Sequence, residues 1–460
     1  FRTFLKRDIQ SLRPAADAFV RSSYFGGRVE IFKPFYEQKG KNPMLRSYDV
    51  NSLYPAVMRS HAFPGSFKYE TTKYLEHEMG FYDVEVEVPD MYIPPLGLRY
   101  QGMESRLIFP TGKFRGVWST LELNYARTLG VKIHRVFRGM IFENLGHIFS
   151  EYIDYLYGIR KASKKESVDN VLCKLLMNST YGRFGLNLTR EQLVFDRGEE
   201  GITAHIEIPA DGDINNIIRL GTKAVELESS FANVAIPAWV TSAARTHMHK
   251  LYLQAPEDLF YTDTDCAKTT HKYSSNQDDL GEMKLEYKSK LACYILPKTY
   301  MEDTLDPMFK VFLENGKISK DKTSMKVVMK GFDRKKLSHF KPEDFMSALE
   351  GDMRRLRSVN PKKFAPLKSA IKKNEFLALL NESPRQIRTR YNKRRIFKRL
   401  YAHTYDTEPL NLKDGMITNL PKDAMTKWSM PEIEGIMDEE RKALNILYLI
   451  NEKLKEGEKT

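Results

Sequence analysis

The period of hydrophobic and polar positions changes along the chain, and the changes divide it. Residues 1–30 read as a short helix followed by an extended stretch through YFGGRVEIF. Residues 44–61 predict a strand, a turn and a helix. Alternation in DVEVEVP (83–89) predicts a strand, because side chains two apart share a face. Pro and Gly spaced through 89–116 predict loops and hairpins. A helical period dominates 117–183 and predicts helices at 118–129 and 144–183, the second open to a break. Residues 185–225 read as short strands around the polar loop EIPADGDINN, and 233–253 as a helix. A hairpin is expected around YTDTD at 259–268, then strands to about 331. Beyond that the chain is expected to be helical and markedly basic. It contains no internal repeat and no low-complexity segment.

At 460 residues the chain is too long for one small domain, and two or three lobes are expected. An apolar content of 42% supplies their cores and excludes wholesale disorder. Lys and Arg number 73 against 60 Asp and Glu, a net charge of +13, which points to a polyanionic partner. Cys173, Cys266 and Cys293 are too far apart for a disulfide framework or a zinc ligand set, which fits a reducing compartment. No apolar run approaches 18 residues, so no transmembrane helix is expected. The chain starts at Phe1 within an amphipathic stretch without a signal-peptide core, so it reads as a fragment.

Three segments carry the chemistry. In YDVNSLYP (48–55), Asp49 would end a strand and the chain would turn into a helix with Pro55 in its first turn, where proline is tolerated. A carboxylate there offers a metal-binding oxygen beside backbone amides that favour phosphate, although an Asp at such a place often serves only as a cap. In YTDTD (261–265), Asp263 and Asp265 would share a face of an extended hairpin, a costly arrangement unless a cation sits between them. Two divalent ions about 3.5–4 Å apart, held by carboxylates, are the usual device for in-line phosphoryl transfer. In KLLMNSTYGRFG (174–185), Lys174, Asn178 and Tyr181 fall within roughly 60° of one another on a helix, and Arg160 joins them if the helix is continuous. Val168, Val171, Leu172, Leu175 and Leu176 are then expected to face the core. The bland reading of the cations is a solvated basic face.

Taken together and in this order, YDVNSLYP, KLLMNSTYG and YTDTD resemble motifs A, B and C of family B DNA polymerases. The likeness is closest to the protein-primed branch of bacteriophages, adenoviruses and linear mitochondrial plasmids. Tyr24-Phe25-Gly26-Gly27 resembles the YxGG motif that touches template, and Lys298-Thr299-Tyr300 the KxY motif that contacts primer-terminal DNA. The resemblance covers about residues 20–331. It implies an α+β fold with the right-hand palm, fingers and thumb. It also implies Asp49 and Asp265 as metal-binding carboxylates with Asp263 beside them, and two Mg2+ ions, with Mn2+ as a substitute. Tyr54 would be the steric gate against a 2′-hydroxyl. Arg160 and Lys174 would bind the triphosphate, and Asn178 and Tyr181 would line the nascent base-pair pocket. Tyr24, Gly26, Gly27, Lys298 and Tyr300 would contact DNA. The implied partners are template and primer DNA, dNTPs and a terminal priming protein; no membrane is involved. A mitochondrial element is the implied origin, with a viral or cytoplasmic one as the alternative.

By position, residues 1–43 lead into the palm, which takes up 44–61 and 229–331; 144–184 are fingers and 332–460 occupy the thumb place. Residues 62–143 and 185–228 would be the two insertions of the protein-primed branch. The family's proofreading exonuclease domain precedes YxGG, whereas about 20 residues do so here, and Asp83-Val84-Glu85 reads as a sheet surface instead. Proofreading by this chain is therefore not expected. The basic run RQIRTRYNKRRIFKR (385–399) reads as a track for a phosphate backbone, and 431–458 as an amphipathic helix. His247 and His249 are too few for a metal site. The expected activity is DNA-directed DNA polymerisation. The alternative is a catalytically incomplete remnant that only binds nucleic acid.

Overall fold

The computed structural model describes residues 4–5 and 9–304 except 101–105, 188, 199, 211–212, 227–231 and 275–278. It further describes 324–330, 337, 340–350, 352, 356, 362–363, 367, 371, 383–384, 394–401 and 404–419. The chain opens with α1 (Pro14–Arg21), β1 (Val29–Ile31), β2 (Phe35–Glu37), β3 (Leu45–Val50) and α2 (Leu53–Ser60). There follow β4 (Pro64–Thr71), β5 (Gly80–Val88), β6 (Leu98–Tyr100), β7 (Arg106–Ile108), β8 (Thr111–Ser119), α3 (Thr120–Thr128) and β9 (Lys132–Asn144). Two helices, α4 (Ser150–Ala162) and α5 (Val168–Phe184), precede β10 (Thr189–Phe195), β11 (Ile202–Ala210) and β12 (Asp213–Glu226). Then come α6 (Ala235–Tyr252), β13 (Leu259–Asp263), β14 (Cys266–Thr269), β15 (Met283–Leu296), β16 (Thr299–Thr304), β17 (Ser324–Met329) and α7 (Pro342–Leu349).

The central sheet has the order β1-β13-β14-β3-β15-β16-β17, with β2 also on β15, and every pair is antiparallel. Helix α6 is buried along almost its whole length. Its run of small residues, Ala235, Ala238, Ala243 and Ala244, lets neighbouring elements approach closely in the main core, which also takes in Val57, Phe81, Phe149 and Met177. A second sheet orders Asn411–Lys413, β8, β5, β9 and β4, and a third orders β10-β12-β11. On the second sheet Asp83 pairs with Arg115 at 2.6 Å and Glu85 with Lys113 at 2.6 Å, so these acids do form a sheet surface.

Several expectations need correction. Residues 132–144 form the strand β9, not part of a helical run. Ile133, Val136, Ile141 and Phe142 find cross-strand partners on β5 and β4, and such tertiary pairing overrides local period. The helix expected over 144–183 is broken at 163–167. Glu166 lies at φ +69° there, and Ser167 caps α5 by accepting from the Asn170 amide. Arg160 and Lys174 therefore stand on different helices. The apolar stripe expected to face the core is exposed, Val168 at 80% and Leu175 at 61%. The buried line of α5 is instead Cys173, Met177, Thr180 and Phe184; Thr180 bonds Tyr152 at 3.1 Å and Phe184 packs edge-on against Phe149.

Beyond 331, α7 is helical as expected, but Arg395–Tyr401 and Thr404–Pro409 form an antiparallel pair. Arg395 leaves the proposed phosphate track altogether. It is fully buried, donating to Thr407 Oγ1 at 2.7 Å and Tyr92 O at 2.9 Å beside Glu30. Residues 385–393 and 431–458 lie outside the described residues.

Candidate active site

Strand β3 brings Asp49 to the edge of a cleft by pairing with β14, where Asp49 sits opposite Cys266. The next amide, Val50 N, donates to the Asp265 carbonyl at 2.7 Å, so the two strand ends are joined directly. Asp263 closes β13, and Thr264 then takes the left-handed conformation at φ +67°. This turn presents Asp263 and Asp265 to the cavity that Asp49 also lines. Lys298 Nζ holds Asp263 at 2.6 and 2.7 Å from its two oxygens. The like-charge crowding expected between Asp263 and Asp265 is present, and the Asp265 charge bears on Asp49 as well. A cavity of about 480 Å³ contains all three acids together with Glu286, Lys268, Lys298, Tyr300 and Lys326.

Burial, then the charge of Asp265, then that of Glu286, push the Asp49 carboxyl up to about 7. The residue is open to the cleft, so solvent softens that shift without reversing it. Asp265 is raised as well, mainly by burial, with the Asp263 charge adding to it. Oxygen donors crowded by like charge in an open cavity are the donor chemistry a hard divalent cation takes. Among the described residues no group of three or more His, Cys, Asp or Glu is placed to hold a metal ion.

One pH dependence follows. A carboxyl raised above its unfolded value favours the protonated native form, so in the metal-free protein Asp49 withdraws stability as pH climbs from about 4 to 7. A divalent cation bound at Asp49 would have to displace that proton, so its affinity is expected to fall by up to about tenfold per pH unit below about 7 and to level off above it. Titration calorimetry in two buffers of different ionisation heat reads this as proton release at pH 6 and none at pH 8; a flat affinity between them contradicts it.

The turn after Asp49 builds the facing wall. Ser52 is left-handed at φ 54°, and its side chain makes no cap for α2. Instead its Oγ accepts from Arg160 Nη1 at 2.8 Å, which moors α4 to this turn although Arg160 is not in line with Lys174. Tyr54, in the first turn of α2, lies with its ring 4.9 Å from that of Tyr181 on α5, tilted by 32°. Burial raises both phenols and keeps them neutral. Tyr24 stands close to both. Lys174 and Asn178 are exposed on the same helix, and the Lys174 charge reaches Asp265. Tyr300 is buried, with its ring 5.2 Å from Tyr261 and 5.5 Å from Tyr294.

Sequence reasoning missed the layer beneath. Lys268 is 2% exposed and donates to Ser47 Oγ at 2.5 Å and Tyr287 Oη at 2.5 Å, with Glu302 Oε2 at 3.5 Å. Glu302 also accepts from Tyr287 at 2.5 Å and Tyr294 at 2.6 Å. The Lys268 charge opposes the upward shift of Asp49. The available signal was a lysine between Ala267 and Thr269 in a strand otherwise apolar or small. His247 and His249 take packing roles, bonding the Gly281 and Ile93 carbonyls.

The family described as DNA polymerase type B, organellar and viral, matches residues 1–256 of the chain. The chain belongs to that family. A probable DNA polymerase of Neurospora intermedia is 33% identical over 313 residues, covering 64% of this chain and 32% of its own length. One of Podospora anserina is 29% identical over 451 residues, 89% of this chain and 34% of the relative. The DNA polymerase of Bacillus phage phi29 is 26% identical over 320 residues, 65% of this chain and 52% of the phage protein. This family member thus spans about a third of its fungal relatives. The phi29 polymerase solved with primer-template DNA and incoming nucleotide superposes with a TM-score of 0.57 at 22% identity, over 75% of this chain and 60% of that one. At that identity the likeness establishes the fold: the α+β architecture of family B polymerases.

Proposed function

We propose that the chain catalyses DNA-templated addition of dNMPs to a DNA 3′ end or to the hydroxyl of a priming protein. The observation that carries this reading is the convergence of Asp49 and Asp265 on one cleft, faced by the Tyr54–Tyr181 pair and Lys174. Asp49 and Asp265 would hold Mg2+, or Mn2+ in its place. When bound, such ions lower the pKa of an attacking hydroxyl and offset the charge of a triphosphate. Lys174 supplies a further positive charge for the departing phosphates, and Arg160 keeps the Ser52 turn in place. Asn178 and Tyr181 give the base pair a polar and an aromatic surface. Lys298, paired with Asp263 at 2.6 Å, would steady the acid turn and, with Tyr300, meet the primer terminus.

Residues 44–61 and 229–331 serve as palm, 144–184 as fingers and 332–460 as thumb, with 62–143 and 185–228 as insertions that take the priming protein and the DNA. A mitochondrial element is the favoured setting. Among the described residues no helix is long and apolar enough to cross a membrane.

The test is dNTP incorporation on a primed DNA template with Mg2+. DNA binding without incorporation would favour the non-catalytic remnant. Tyr54→Val separates this reading from a ribonucleotide polymerase. Removing the ring opens space for a 2′-hydroxyl, so rNTP incorporation relative to dNTP is expected to rise about 10- to 100-fold. An unchanged ratio would remove Tyr54 from the sugar pocket.

A further inference from the structure

The two glycines of Tyr24-Phe25-Gly26-Gly27 differ in surroundings. A Cβ placed on Gly26 would meet nothing within 4 Å. On Gly27 it would lie 2.6 Å from Thr264 Cγ2 and 2.8 Å from both Cα and Cβ of Thr264. Thr264 is the left-handed residue between Asp263 and Asp265, and its amide donates to the Arg28 carbonyl at 2.8 Å. We propose that Gly27 is a positioning residue of the carboxylate pair: it is the seat on which the acid turn rests, and Gly26 alone keeps an open face for a ligand.

Neither flank of Gly27 can retreat. Arg245 Nη1 donates to the Phe25 carbonyl at 2.8 Å and lies 3.3 Å from that of Gly26. Its guanidinium is fixed in turn by the buried carboxylate of Glu122 at 2.8 Å, which also accepts from Ser242 at 2.7 Å. On the other side Arg28 is buried, pairing with Glu30 at 2.7 Å and donating to the Pro94 carbonyl at 2.7 Å. An added methyl group therefore displaces the Thr264 turn and not the segment bearing it. Asp265 moves with that turn, because its carbonyl and Val50 N are the link to Asp49. Close-packed backbone passes such a shift on instead of absorbing it.

This inference rests on reading Asp49 and Asp265 as metal carboxylates. Mn2+ binding to the full chain, followed by electron paramagnetic resonance, is read alongside primer-template affinity by fluorescence anisotropy. Gly27→Ala is expected to weaken Mn2+ about 10- to 100-fold, the range for groups that orient metal ligands, with DNA affinity changed less than about twofold. Gly26→Ala leaves Mn2+ unchanged. Adding Thr264→Gly to Gly27→Ala removes two of the three close contacts and relaxes the positive φ, so Mn2+ affinity returns in part. Gly27→Ala binding Mn2+ like the parent, with DNA affinity lost, overturns the proposal. Should Gly27→Ala fail to fold, the double variant decides: failure to fold, or folding without recovered Mn2+, overturns it too. A parent that binds no Mn2+ removes the metal reading and the proposal together. A parent that binds Mn2+ but adds no dNMP counts against the polymerase reading alone.

Discussion

Asp265→Asn is expected to lower dNMP incorporation by about a thousandfold or more, roughly 4 kcal/mol of transition-state stabilisation. The same change should leave the melting temperature of the metal-free protein unchanged or raise it. The two effects separate because the carboxylate is held against its own preference. Burial and the Asp263 charge raise its pKa, so its ionised form costs stability at neutral pH, and the neutral amide removes that cost. The amide nitrogen also takes away an anionic oxygen that a divalent ion needs. Single-turnover incorporation and a thermal melt without metal check the two halves. A variant that loses activity only in proportion to lost stability would make Asp265 a structural residue.

Lys268→Met carries the largest expected effect on stability, a loss of about 3–5 kcal/mol. Lys268 and Glu302 are both buried, so a charge left without its partner stays in a low-dielectric interior. Removing the ammonium leaves a carboxylate with only the phenols of Tyr287 and Tyr294 as donors. Lys326 also reaches Tyr287, at 2.8 Å, but it touches the network one atom further out. Glu302→Gln in the same chain should restore most of the loss, since a buried pair replaced together costs little. Urea unfolding at unchanged m separates the outcomes; a single-variant loss under about 1 kcal/mol would mean that the two phenols suffice for Glu302. Because the Lys268 charge lowers the Asp49 pKa, the variant should also bind Mg2+ more weakly.

What could be read from the sequence was local. Asp49 at a strand end, Asp265 in a hairpin turn and Tyr54 one helical turn beyond depend on neighbours within a few residues, and each fell where expected. The break left open in the helix over 144–183 falls at Ser163–Ser167, where polar residues and a capping serine end one helix and start another. The exposed stripe on α5 shows why apolar spacing alone misleads. Met177 and Phe184 are buried because α4 and α6 happen to pack on that side, and nothing in the local period says which side that is. The Lys268–Glu302 layer was invisible for the same reason. Its members come from four strands, and each looks unremarkable in its own segment. The pairing of Asp263 with Lys298 was not legible either, because Lys298 lies beyond the hairpin.

Arg395 gives the molecule a particular order of completion. Its hairpin closes on β1 through Glu30, and Thr407 Oγ1 donates to the Phe32 carbonyl at 2.7 Å. The contact spans most of the described chain, a closure whose entropy must be met before any local gain returns it. During synthesis, then, β1, which pairs with β13 beside the acid turn, emerges well before the hairpin that completes it. A nascent chain stopped before residue 395 would already hold every acid of the cleft, yet among the described residues Glu30 would keep Arg28 and lack its second buried cation, Arg395.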